Sequence, residues 1–66
     1  MFAFKVTDMT CGHCVSSITM AVKDVDPNAS VETDLSEHLV RVESVSSVSD
    51  IEDAIREAGY SPVFLR

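Results

Sequence analysis

Phe2-Ala3-Phe4-Lys5-Val6-Thr7-Asp8-Met9-Thr10-Cys11-Gly12-His13-Cys14-Val15 is the stretch on which the fold turns. Phe2, Phe4 and Val6 alternate with Ala3, Lys5 and Thr7, the period of a half-buried strand that ends near Asp8. From Cys14 the period changes. Val15, Ile18, Ala21, Val22 and Val25 fall on one helical stripe, which stops before Pro27-Asn28. The junction between the two patterns carries both of the chain's cysteines, Cys11 and Cys14.

The rest of the chain repeats this grammar. Val31, Thr33 and Leu35 alternate, as do the residues from Leu39 to Val42, and Ser36-Glu37 between them predicts a hairpin that turns Val40 and Val42 to the core. Ser49 followed by Glu52 has the spacing of a capping box, with Asp50 and Asp53 where the helix dipole favours negative charge. Ile51, Ala54, Ile55 and Ala58 supply the buried face of this second helix. Gly59 suits the left-handed position after its last turn. The segment from Tyr60 to Leu65 closes the chain, and Pro62 marks it as an edge strand. The order strand, helix, strand, strand, helix, strand predicts a ferredoxin-like βαββαβ sandwich in the α+β class, a four-stranded antiparallel sheet with two helices on one face. A shift of 36 residues lays Val6 on Val42, Met9 on Val45, Val15 on Ile51, Ile18 on Ala54 and Val22 on Ala58, an internal echo of the same unit. That topology places Cys11, Cys14, His38 and Tyr60 at one end of the sheet.

Composition narrows the function. A chain of 66 residues buries only about 60% of its unfolded surface, so one small domain is expected. No apolar run approaches the roughly 18 residues that span a membrane, and the start lacks a secretory pattern; membrane insertion is not expected, and a reducing cytoplasm is the expected location. The net charge of −6, with only five Lys and Arg, argues against nucleic acid and suits a basic protein partner or plain solubility. A disulfide between Cys11 and Cys14 would close too short a loop to restrain the unfolded chain. Metal capture and thiol redox chemistry are left as the two reasons for pairing these thiols.

Met9-Thr10-Cys11-x-x-Cys14 at a strand-to-helix junction, together with the element order and a Gly59-Tyr60 pair before the last strand, resembles the heavy-metal-associated domains of copper chaperones and of metal-transporting P-type ATPases, the bacterial copper chaperones in particular. The resemblance covers essentially residues 1–66 as a single domain. It implies an exposed Cu(I) site of two thiolates, Cys11 and Cys14, no catalytic step, and transfer of the metal to the metal-binding domain of a copper-transporting P-type ATPase; a metal-bridged homodimer is left open as a further state. Asp8 departs from the glycine that commonly precedes the methionine in that family.

The residue chemistry agrees. Two thiolates hold a soft ion such as Cu(I) with room for an incoming third ligand. Ag(I) and Hg(II) fit the same donors, whereas Zn(II) wants three or four protein ligands. Five residues are expected to support the site. Met9 reads as a core plug beneath the loop, on its equivalence to Val45. Thr10 reads as a cap of the first helix, and its place ahead of Cys11, where zinc- and cadmium-type relatives often carry an acid, favours copper. Gly12 gives the loop freedom to bend. His13 lies between the cysteines and, like His38, is expected to be solvent-exposed rather than a ligand. Tyr60 either brings its hydroxyl to the thiolates or is a half-buried aromatic at a strand start. The alternatives to a chaperone are a thiol-disulfide oxidoreductase using the same pair, for which the chain is short, and a metal-binding domain excised from a P-type ATPase. The start at Met1 and finish at Arg66 favour a free-standing protein.

Overall fold

The computed structural model describes residues 2–65; Met1 and Arg66, the bounds of the expected domain, lie outside the described residues. The alternating and helical patterns become β1 (Phe2–Val6), α1 (Gly12–Val25), β2 (Ser30–Asp34), β3 (Leu39–Glu43), α2 (Val48–Glu57) and β4 (Pro62–Phe64). The sheet order is β2-β3-β1-β4 with every neighbouring pair antiparallel. Thus β1 and β2 run parallel with β3 between them, and β3 and β4 run parallel with β1 between them. These are two interleaved βαβ units, the ferredoxin-like sandwich read from the sequence.

The core follows from the two periodicities. Phe4 and Val6 of β1 and Val40 and Val42 of β3, two residues apart on each strand, lie on one sheet face. Ile18 and Val22 of α1 and Ile51 and Ile55 of α2, four apart, meet them there, and Met9 and Ala29 complete the buried set. Each large side chain in it contributes roughly 1.5–3 kcal/mol on burial. Phe64 packs on Phe4 from the edge strand, their rings 5.7 Å apart and inclined by 57°.

Several boundaries differ from the sequence expectations. Val25 and Ala58 are exposed, because each falls in or just past the final turn of its helix, beyond the sheet's cover. Leu35 is not a strand residue: β2 ends at Asp34, whose carboxylate accepts the Ser36 N–H (3.0 Å), the Ser36 hydroxyl (2.7 Å) and the Glu37 N–H (3.2 Å). This side-chain turn holds the Asp34 carboxyl below the usual range, through Ser36 first. It leaves Leu35 in a turn that closes with His38 at φ 56°. The second helix begins at Ser47 rather than through a Ser49–Glu52 box: the Ser47 hydroxyl accepts the Asp50 N–H at 3.2 Å. Glu52 lies two residues past the position that could reach back, and it pairs with Arg56 at 3.8 Å. Gly59, at φ 101°, ends α2 as expected. Its N–H reaches the Arg56 carbonyl and the Tyr60 N–H the Ile55 carbonyl, the paired bonds of a Schellman motif.

Strand register gathers the chemistry-bearing residues. Lys5 opposes Leu39 and Val6 opposes Pro62, so the end of β1, the β2–β3 hairpin and the start of β4 share one end of the sheet. No helix among the described residues is long and apolar enough to cross a membrane.

Candidate metal centre

The loop between β1 and α1 is short, and its anchoring dictates where the cysteines lie. Met9 is wholly buried in the core beneath it, as expected of a plug. The stated reason for that expectation fails, however, because Val45, its counterpart in the internal echo, is 99% exposed. The chain then rises to the surface at Thr10. Cys11, in extended conformation (φ −150°, ψ 169°), is the residue that caps α1, and its carbonyl accepts the Val15 N–H at 3.3 Å. Thr10 is therefore not the cap: it stands one residue too early for its side chain to meet the first free N–H groups. Gly12 opens the helix without a positive φ, and a Cβ on it would meet nothing within 4 Å. The bend is made by the extended backbone of Cys11 and needs no glycine.

Cys14 occupies the third helical position, one turn from Cys11, and the sulfurs lie 3.2 Å apart. Both thiols are free, Cys11 exposed and Cys14 half-buried. They sit at the positive end of the α1 dipole, where unpaired N–H groups favour an anion, and no acidic side chain occupies the first turn. Tyr60, from the turn after α2, brings its hydroxyl to Cys14. That contact first, then the Thr10 backbone N–H and the Cys11 thiol, lowers the Cys14 pKa to about 6 against a modest opposing effect of burial. The Tyr60 hydroxyl pKa is raised in return, chiefly by the same contact with Cys14. Tyr60 is a half-buried aromatic packed against the core, and its hydroxyl also acts on the Cys14 thiol, so each of the two readings open for it has support. His13 is exposed on the first turn, as expected.

His38 departs from expectation. It is half-buried rather than solvent-exposed, and its ring Nδ1 lies 3.0 Å from the Met9 carbonyl. A carbonyl only accepts, so Nδ1 carries the proton. Asp8 is the other residue whose role was illegible: its carboxylate accepts the Ser61 N–H at 3.2 Å. These contacts join residues 29 and 53 positions apart, and no local pattern announces them. Among the described residues, no three His, Cys, Asp or Glu side chains gather into a site for a metal ion. What this end offers an ion is a pair of adjacent soft donors facing outward.

The model of the heavy-metal-associated domain matches residues 3–61. The chain belongs to the heavy-metal-associated domain family. Its family relatives include a protein described as the copper chaperone CopZ of Staphylococcus aureus, 38% identical over 61 residues that span 88% of this chain and 90% of the relative. Among solved structures, a gold-binding protein superposes with a TM-score of 0.94 at 37% identity, covering 98% of this chain and all of that one. The copper chaperone Atx1 from Synechocystis PCC6803 superposes with a TM-score of 0.93 at 28% identity, covering 96% and 100% of the two chains.

Proposed function

We infer that this heavy-metal-associated domain is a Cu(I) chaperone whose Cys11 and Cys14 thiolates hold the ion, residues 1–66 acting as one domain. The observation that carries this reading is the pair of sulfurs 3.2 Å apart at a helix start, with Cys11 open to solvent. Thiolates select soft ions, and a two-sulfur site leaves a coordination position free for an incoming ligand. The scarcity of further donors supports Cu(I), with Ag(I) and Hg(II) as chemical equivalents, over a closed four-ligand Zn(II) site. The similarity to proteins described as copper chaperones points the same way.

Transfer follows from the same openness. A cysteine thiolate of the recipient adds to the bound ion, one of the two sulfurs here leaves, and a second exchange completes the handover. Oxidation state is unchanged, and no covalent bond within either protein is made or broken. The lowered Cys14 pKa keeps that sulfur a ready ligand at neutral pH. The recipient fitting this chemistry is the cysteine-bearing metal-binding domain of a copper-transporting P-type ATPase, and two copies of this chain can share an ion across their open faces. A reducing cytoplasm is the compartment in which the two thiols stay available.

An anaerobic competition titration of the reduced protein with Cu(I), Ag(I) and Zn(II) tests the reading. One Cu(I) per chain, retained against a moderate chelator and lost in Cys11→Ser and in Cys14→Ser, is the expected result. Full retention by both variants, or a preference for Zn(II), would sink it; metal-independent thiol-disulfide cycling on a substrate protein would favour an oxidoreductase instead.

A further inference from the structure

The β1–α1 loop is gripped from both sides by contacts from residues distant in sequence. On one side the hairpin turn reaches in: the Val6 N–H donates to the His38 carbonyl at 2.8 Å, and the His38 ring donates through Nδ1 to the Met9 carbonyl at 3.0 Å. Lys5 Nζ adds a contact to the neighbouring Glu37 carbonyl at 2.8 Å. On the other side the Asp8 carboxylate accepts the Ser61 N–H, from the turn that also carries Tyr60. His38 makes its reach in a backbone conformation that disfavours it, at φ 56°. A side chain there costs on the order of 1 kcal/mol relative to glycine. The hairpin geometry alone does not call for histidine, and the ring's bond to Met9 supplies a use for it.

We propose that His38 and Asp8 are positioning residues that clamp Asp8-Met9 between the hairpin and the α2–β4 turn, so that Cys11 is presented beside Cys14 from a fixed base. Each acts on the sulfurs only through the backbone. His38 fixes the carbonyl two residues before Cys11, Asp8 fixes the strand exit just before that, and buried Met9 anchors the segment from below. Cys14 is already held by α1. Any spreading of the sulfurs on taking up an ion is thereby confined to the links between Thr10 and His13.

The proposal rests on the Cu(I)-site reading, and its test separates the two. His38→Gly removes the ring while relieving the positive φ, and Asp8→Ala removes the carboxylate while Asp8→Asn keeps an acceptor oxygen. In the metal-free reduced protein, amide hydrogen exchange at Met9, whose N–H is bonded to the Val6 carbonyl at 3.2 Å, is expected to quicken about fivefold in His38→Gly and in Asp8→Ala, the equivalent of one lost hydrogen bond. Asp8→Asn should restore it, and the thermal midpoint of His38→Gly should not fall. Cu(I) retention in the two loss variants is expected to drop about tenfold, the usual scale for outer supports of a metal site. Exchange and retention both at wild-type values in His38→Gly and Asp8→Ala would overturn the clamp. Faster exchange with unchanged retention would also overturn it, by reducing the two residues to a structural role. If the unsubstituted protein takes up no Cu(I), the functional reading falls, and the exchange rates alone decide whether the clamp exists.

Discussion

The two strand-to-helix junctions of this fold are built on one frame and finished differently. Cys11 and Ser47, 36 residues apart, both cap a helix from extended backbone, and each carbonyl accepts the N–H four residues on, Val15 at 3.3 Å and Ile51 at 3.2 Å. The third helical position holds Cys14 in one and Asp50 in the other. At the second junction the Ser47 hydroxyl is spent on the Asp50 N–H. At the first, no side chain caps the helix and the two sulfurs face each other and the solvent. The comparison teaches that the proposed site rests on a withheld local bond: a helix start left uncapped keeps its N–H groups and dipole for an anion, and the sulfurs stay free for the proposed ion.

The floors of the two junctions differ most, and the largest stability effect is expected there. Met9 is fully buried and Val45 is 99% exposed. Met9→Ala should cost about 2–5 kcal/mol in chemical denaturation of the metal-free protein, because it leaves a cavity under the loop. Val45→Ala should stay within about 0.5 kcal/mol. Similar losses in the two variants would mean that the junctions differ in their sulfurs only, and that the first has no special floor.

The caps should respond in opposite directions by smaller amounts. Cys11→Ser places a good capping residue at the uncapped start and is expected to add about 0.5–1 kcal/mol, a rise of a few degrees in thermal midpoint for a domain this small. The same substitution abolishes the proposed metal site. Ser47→Ala should lose about 1 kcal/mol. A Cys11→Ser protein less stable than its parent would show that the thiol itself supports the helix start.

How far such differences could be read from the sequence depended on the range of the forces involved. The strands and helices followed from apolar spacing, and Phe4, Val6, Ile18, Val22, Ile51 and Ile55 all lie where periodicity put them. The pairing of Cys11 with Cys14 was legible because two residues of spacing and one helix start fix it. The internal echo mapped Val6 onto Val42 correctly and Met9 onto Val45 wrongly, since a repeat of pattern transmits strand and helix but not the depth of the loop between them. The caps slipped by a residue or two, Cys11 for Thr10 and Ser47 for Ser49: at the second start Ser46, Ser47 and Ser49 satisfy the same local rule, and at the first the capping position holds a cysteine, which that rule does not favour. His38 and Asp8 were beyond reach altogether: their partners, Met9 and Ser61, become neighbours only when the sheet forms.

Tyr60 touches one junction and not the other, and its removal is the subtlest way to sharpen the contrast. Its hydroxyl is the leading cause of the low Cys14 pKa of about 6. A group whose folded pKa lies below its ordinary value, about 8.5 for a thiol, contributes stability that is present above that ordinary value and lost as pH falls through the folded one. For Cys14 the window of loss therefore runs downward from about 8.5 through the folded value of about 6. Tyr60→Phe keeps the ring and deletes the hydroxyl, so the ultraviolet titration of the thiolate should move to higher pH. Proton competition for the proposed Cu(I) site should move upward with it. The Thr10 N–H, the Cys11 thiol and the helix start remain, so the titration should stop short of an ordinary thiol. An unmoved titration in Tyr60→Phe would assign the thiolate's stabilisation to the Thr10 N–H, the Cys11 thiol and the uncapped helix start, making the difference between the junctions a matter of the loop and first turn alone.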